Sequence, residues 1–391
     1  MSSGGVVVLG IMGRTPFAGV AWQVLHYLEG FRRLGCEVTY LEDTGAWPYD
    51  PERNTISDDP GFTVRYLERM MSWLGLPDRW GYVSPDRHVF GLSQDRVARA
   101  LEGADAIVNL TGSTVLRPEH LQVPVRIYVE TDPVGPQIEV AQGRRFTIEL
   151  LAAHTHRFSY AVNLGSPDCG VPVERFDYFP TRQPVVLDWW GGASGAGGRY
   201  TTVASWRQTG RDVRWQGETY SWSKDREFLK LVDLPRRVGQ PLELALACDD
   251  AEAIRLLESH GWRVVDAVAL SSDTARYRDY IEGSRGEVTV AKDQNIRLRS
   301  GWFSDRSACY LAAGRPVVAQ DTAFGNALPT GCGLFAFRTL EEAAVAIEAI
   351  ESDYERNARA AREIAVEHFA ADTVLSSLLE RAGLGTPVGA G

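Results

Sequence analysis

The chain has 391 residues, 44% hydrophobic and 24% charged, with 38 Gly and 19 Pro. That composition excludes wholesale disorder, collagen and coiled coil, and at about 150 residues per domain the length suggests two domains, each able to bury a core. A formal net charge of −10, from 41 Lys+Arg against 51 Asp+Glu, argues against a nucleic-acid or anionic-membrane partner but leaves room for a local basic pocket.

No apolar run reaches the roughly 18 residues that cross a bilayer, so no integral membrane segment is expected. The opening Met-Ser-Ser-Gly-Gly lacks a basic n-region and a long apolar stretch, so no secretory signal is expected and the cytoplasm is the expected compartment. Cys36, Cys169, Cys248, Cys309 and Cys332 are scattered, with no C-x-x-C pair, and support neither a disulfide framework nor a zinc site.

The β-branched run Val6–Gly10 predicts a buried parallel strand. A loop, Ile11 to Gly19, leads into a helix with Val20, Val24, Leu25, Leu28, Phe31 and Leu34 near helical spacing, and Cys36–Leu41 reads as the next strand. Strands follow at Ala106–Leu110, Val125–Val129 and Phe158–Val162, each ending in a polar or glycine loop. The Trp- and Tyr-rich stretch from 47 to 93 reads as irregular or helical decoration beside the sheet. The Gly-rich run within 188–199 is the strongest linker signal. Beyond it, strands are expected at Thr201–Ala204, Leu242–Ala247, Trp262–Val265, Val288–Ala291, Pro316–Ala319 and Leu334–Phe337, alternating with helices. Residues 352–382 read as helical throughout. The expected architecture is α/β, with two doubly wound Rossmann-like halves facing a cleft: 1–187, 200–370, and a helical tail at 371–391.

The most informative segment is Ser300–Gln320, which passes from a turn through a helix and a Gly-x-Pro break into a buried strand. Ser304 is a good N-cap, Asp305 suits the positive helix end, and the free amides there with Arg306 and Ser307 suit a diphosphate. The ending Ala312, Gly314, Pro316, Val317, Val318, Ala319 resembles the A-x-G-x-P-V-V-A ending of the donor-binding helix in GT-B fold glycosyltransferases (the group-1-like kind). The order of a glycine loop, two such domains and a helical tail is similar over most of the chain. Many retaining members carry two glutamates at the places held here by Gly301 and Cys309, so that pair is absent and the retaining mechanism is in question.

The resemblance implies a transferase moving a sugar from a nucleotide-diphosphate donor to an acceptor, with neither a metal nor a cofactor required. It implies Arg207 and Lys224 as the cations that neutralise the departing diphosphate, with Arg211, Arg214 and Arg226 as competitors; solvated charges on a hairpin explain these residues equally well. Lys292 and Asn295, and Asp321 with Thr322, stand just past strands and are candidate contacts to the nucleotide or its sugar. In the first half, Gly13, Arg14 and Thr15 form the loop expected to approach the acceptor, and Glu130 and Asp132 are candidate general bases at a strand end. Glu42 and Asp43 occupy the place of a ribose-binding acid, which keeps a nicotinamide-binding reading open, although the glycine pattern is not G-x-G-x-x-G. His26 flanks the first helix's apolar face, and His154 and His156 lack a third ligand nearby. A nucleotide-sugar epimerase and a non-catalytic binding protein on the same fold are the alternatives.

Overall fold

The computed structural model describes residues 4–191 and 197–385. Eight strands form the first sheet, in the spatial order Phe179–Pro180, His156–Ser159, Val125–Glu130, Ala106–Leu110, Gly5–Leu9, Glu37–Glu42, Trp80–Val83, Val89–Gly91. All neighbours are parallel except the final pair, a hairpin. The valines of the first strand sit between Val38–Tyr40 and Ala106–Val108, covered on both faces, which is why that strand carries no polar alternation.

The second sheet is parallel throughout, in the order Arg263–Asp266, Leu242–Ala247, Tyr200–Ser205, Gly286–Thr289, Val317–Gln320, Leu334–Phe337. In sequence terms this is the 3-2-1-4-5-6 order of a doubly wound fold, whose ligands bind at the carboxyl ends of the strands. The chain then returns to the first half. Val185 donates to the Phe369 carbonyl and accepts from the Ala371 amide, and helix Ala371–Arg381 packs on helix Ala18–Arg33.

Three expectations need correction. The 47–93 stretch is not mere decoration: Trp80–Val83 and Val89–Gly91 extend the sheet, with Trp80 and Tyr82 buried. The tail is two helices, Tyr354–Phe369 and Ala371–Arg381, broken at Ala370 where it bridges Val185. The linker signal begins too early. Asp188 pairs with Arg33, and Trp189 and Trp190 pack onto Trp22 at 5.7 and 5.2 Å between ring centroids, so this end of the run is anchored in the first half. Residues 192–196 of that run lie outside the described residues, as do 386–391 of the tail.

Candidate active site

Two cavities lie where the halves meet. The first, about 410 Å³, is walled by the carboxyl ends of the second sheet's strands, by the start of helix Asp305–Ala312, and by Phe17, Gln23 and His26 of the first half. Its second-half wall runs from Val203–Ser205 through Ala247 to Ala267 and Val268. Ser304 makes no side-chain cap bond and the first intrahelical amide-to-carbonyl bond is that of Ala308 to the Ser304 carbonyl, so the opening-turn amides have no carbonyl partner, and the Asp305 amide meets its own carboxylate. A positive helix end therefore faces a mostly apolar chamber of ligand size. Asp305 and Cys309 also line it; burial pushes the Asp305 carboxyl up to about 6 and the Cys309 thiol well above its ordinary value.

Arg306 reaches the floor of this cavity but points its bonds into the protein. It donates to Glu287 Oε1 (2.5 Å), the Val203 carbonyl (2.6 Å) and Thr289 Oγ1 (2.8 Å), fixing the helix start to the sheet beneath it. The expectation that this guanidinium grips the diphosphate gives way to a positioning role, since Glu287 is wholly buried and needs the countercharge. Arg207 departs further. It is exposed, is paired with Asp225 and Asp250, and does not line the cavity; its neighbour Gln208 does.

Lys224 is the cation left over. It lines neither cavity directly; among the described residues its ammonium makes no hydrogen bond or ion pair, and it lies 6.0 Å from the Trp302 ring centroid. Burial, and then the positive charges of Arg306 and Lys292, lower its pKa to about 7. The carboxylates of Glu287 and Asp132 act in the opposite sense and do not outweigh burial.

The second cavity, about 770 Å³, is lined by Arg14, Tyr128, Glu130, Asp132 and, across the cleft, Arg211–Arg214 and Trp222. Glu130 ends the strand Val125–Glu130 with 1% exposure. Its Oε2 accepts from Gln137 (2.6 Å) and Ser159 (2.8 Å), while Oε1 has no partner. Burial raises its pKa to about 7, against the pull of those two donors. Asp132 is ion-paired across the cleft with Lys292, whose ammonium also lies 3.2 Å from the Trp222 ring centroid. That pair ties the halves together and removes Asp132 from free base chemistry.

The remaining candidates serve local structure. Asn295 is buried and accepts from Ser300; Thr322 donates to the Trp302 carbonyl; Ser307 is buried beneath the helix start; and Asp321 caps the Ala323 amide and pairs with Arg338. In the first half, the glycine loop is closed from within. Glu42 accepts from the amides of Gly13 (2.7 Å) and Arg14, and from the Tyr40 hydroxyl (2.7 Å). The amides of Gly13 and Arg14 are thus not open to an acceptor, and Glu42, pointed inward, is no ribose ligand. Gly13 is required by packing: a Cβ would stand 2.7 Å from Thr63 Cγ2. Thr15 holds the turn through its amide to the Ile11 carbonyl.

The missing glutamate pair has a physical reason at one of its places. Gly301 has φ +77°, and a Cβ there would meet Asn163 at 2.7 Å, so the backbone leaves no room for a side chain. Cys309 lies 3.9 Å from His26 Nε2, and His26 is locked between the Val186 amide and the Trp190 indole. Sequence reasoning missed Tyr277 and Gln208 in the first cavity and Arg144 in the second, because nothing in their local pattern marks which way they face. Among the described residues no three His, Cys, Asp or Glu side chains are grouped to hold a metal, and no helix is long and apolar enough to cross a membrane.

No protein-family model and no curated relative matches the sequence. Solved structures do match along nearly the whole chain. AviGT4, a glycosyltransferase involved in avilamycin A biosynthesis, is 14% identical with a TM-score of 0.56, covering 97% of this chain and 96% of its own. An α-glucosyltransferase in complex with UDP-glucose and DNA is 12% identical with a TM-score of 0.56, covering 98% and 100%. Anabaena HepE in complex with UDP-glucose is 12% identical with a TM-score of 0.55, covering 97% and 99%. With two doubly wound halves across a cleft and this likeness over both, the chain has the GT-B fold of these glycosyltransferases.

Proposed function

We propose that the protein is a glycosyltransferase that moves a sugar from a nucleoside-diphosphate donor to an acceptor hydroxyl without a metal ion. The observation that carries this is the first cavity: a mostly apolar, ligand-sized chamber at the carboxyl ends of the strands, ending at the uncapped start of helix Asp305–Ala312. The nucleoside occupies the part walled by Ala267 and Val268, and the diphosphate meets the helix start with Lys224 as its counter-cation. As the anomeric bond breaks, negative charge gathers on the leaving phosphate oxygen, and an ammonium aimed there lowers the barrier.

The acceptor lies in the second cavity. The two chambers are walled by successive stretches of the same loops, Arg14 then Phe17 on one side, Gln208 then Arg211 on the other. Glu130 lines this cavity and takes the hydroxyl proton on its unpartnered Oε1 as the sugar transfers. The tie of Lys292 to Asp132 holds the cleft closed against water, which would otherwise hydrolyse the donor. The overall charge favours a small-molecule rather than a nucleic-acid acceptor, and the fold's bound partners in the relatives support a nucleotide-sugar donor.

The test is a thermal-shift panel with UDP, dTDP, GDP, ADP and NAD on the wild type and on Val268→Trp, which fills the first cavity from a position 38% exposed. A ligand at about 100 times its Kd adds roughly 2.7 kcal/mol, enough to shift a melting curve measurably. Stabilisation by one nucleoside diphosphate, lost in Val268→Trp, is expected. Stabilisation by NAD alone overturns the reading.

A further inference from the structure

The second cavity carries guanidinium groups that no protein acceptor answers. Arg14 stands on the glycine loop, Arg144 precedes helix Arg145–Ala152, and Arg211 and Arg214 come from the hairpin region of the second half; all four line this one chamber. None forms a side-chain hydrogen bond or ion pair with a described residue. The Arg211 guanidinium instead lies 5.4 Å from the Trp222 ring centroid. The carboxylates of the same wall are all engaged: Asp132 by Lys292, Glu139 by Thr147 Oγ1, Asp212 by the Trp222 amide, and Glu130 through one oxygen by Gln137 and Ser159. Four arginines that converge on one concave wall, none of them paired with a carboxylate, mark a place for an anion.

We infer that the acceptor carries an anionic group, phosphate or carboxylate, beside the hydroxyl that receives the sugar. This rests on the transferase reading above and adds the acceptor's chemical class. The buried free oxygen of Glu130 marks where the reacting hydroxyl stands, and the arginines mark where the charge stands, so one molecule spans both. Guanidinium forks recognise either anion through paired N–H bonds.

The test is calorimetric titration of the wild type, of Arg211→Ala/Arg214→Ala and of Arg211→Lys/Arg214→Lys with glucose 6-phosphate, glucuronate, glucose and inorganic phosphate, each repeated at higher salt. Both arginines are exposed, so the variants are expected to fold, and circular dichroism checks that they do. The expected result is that the wild type binds the two anionic sugars at least about tenfold tighter than glucose. That preference weakens with salt, disappears in the alanine pair and partly returns in the lysine pair. The two anionic sugars also separate the sources: phosphate preferred points to a phosphorylated acceptor, glucuronate preferred to an acidic sugar. Glucose binding as tightly as either, or a preference surviving in the alanine pair, overturns the proposal. So does inorganic phosphate binding as tightly as glucose 6-phosphate, which would mean an ion site with no acceptor in it. UDP titrated into the same proteins keeps the two readings apart, because it should bind wild type and variants alike. Absence of binding by every nucleoside diphosphate, with the arginine-dependent preference intact, overturns the transferase reading and with it the acceptor role.

Discussion

The two halves open with the same local plan, a buried strand running into a loop at the cleft, yet they finish it in opposite ways. After Gly5–Leu9, the loop's amides are met by Glu42 from the next strand, and the turn is complete without a ligand. After Tyr200–Ser205, the chain leaves Lys224 with no partner and the start of helix Asp305–Ala312 with open amides. A buried polar group without a partner costs about 1–3 kcal/mol, so a fold keeps one only where something else completes it. The contrast is what supports the proposal that the donor binds on the second half, with the first half's loop closed from within.

The largest expected effects come from the open groups. Glu130→Gln keeps the shape of the side chain but not its basicity, and transfer is expected to fall by about 100-fold or more at unchanged donor binding, read as kcat against donor Kd. Lys224→Ala is expected to lower kcat/KM by a similar factor, with loss of affinity for nucleoside diphosphates.

The pH profile sharpens the same point. Glu130 works ionised, and its pKa is raised to about 7, so activity rises with pH through that value. Lys224 works protonated, and its pKa is lowered to about 7, so in the free enzyme activity falls above it. A narrow bell near neutrality is expected for kcat/KM. A bound diphosphate raises the Lys224 pKa, so the alkaline limb of kcat moves to higher pH. A flat profile from pH 6 to pH 8 would break the assignment.

The closed loop predicts effects on stability alone. Glu42→Gln sets an NH₂ against groups that themselves donate, and should cost about 1–3 kcal/mol in thermal unfolding. Burial raises the Glu42 pKa from an ordinary 4.5 to about 7. Between those values the folded chain holds a proton that the unfolded chain has lost. The stability from this group is therefore full below about 4.5 and declines as pH rises through about 7, a slope that Glu42→Gln should flatten. The smallest effect is at Arg207. Arg207 itself is exposed and lines neither cavity, and Arg207→Ala should leave transfer unchanged within about twofold.

The same contrast separates what was legible in the sequence from what was not. The β-branched runs and the Ala312–Ala319 ending carry their own burial, so the sheets and the donor helix could be read directly. Trp80–Val83 could not, because a four-residue strand rich in aromatics has no β-branched run to announce it. Glu130, expected at a strand end, lines the second cavity, whereas Arg207, implied with Lys224 by the resemblance, turns to Asp225. Glu42 closing a loop 29 residues earlier is a tertiary bond that local pattern does not encode.

The most direct measurement is calorimetric titration of UDP against UMP and uridine, on wild type and Lys224→Ala, with GDP and ADP and their monophosphates in parallel. The account predicts that one diphosphate binds the wild type more tightly than its monophosphate and nucleoside, and that Lys224→Ala erases that margin while the nucleoside still binds. Equal binding of diphosphate and nucleoside, or a margin that survives without Lys224, would contradict it.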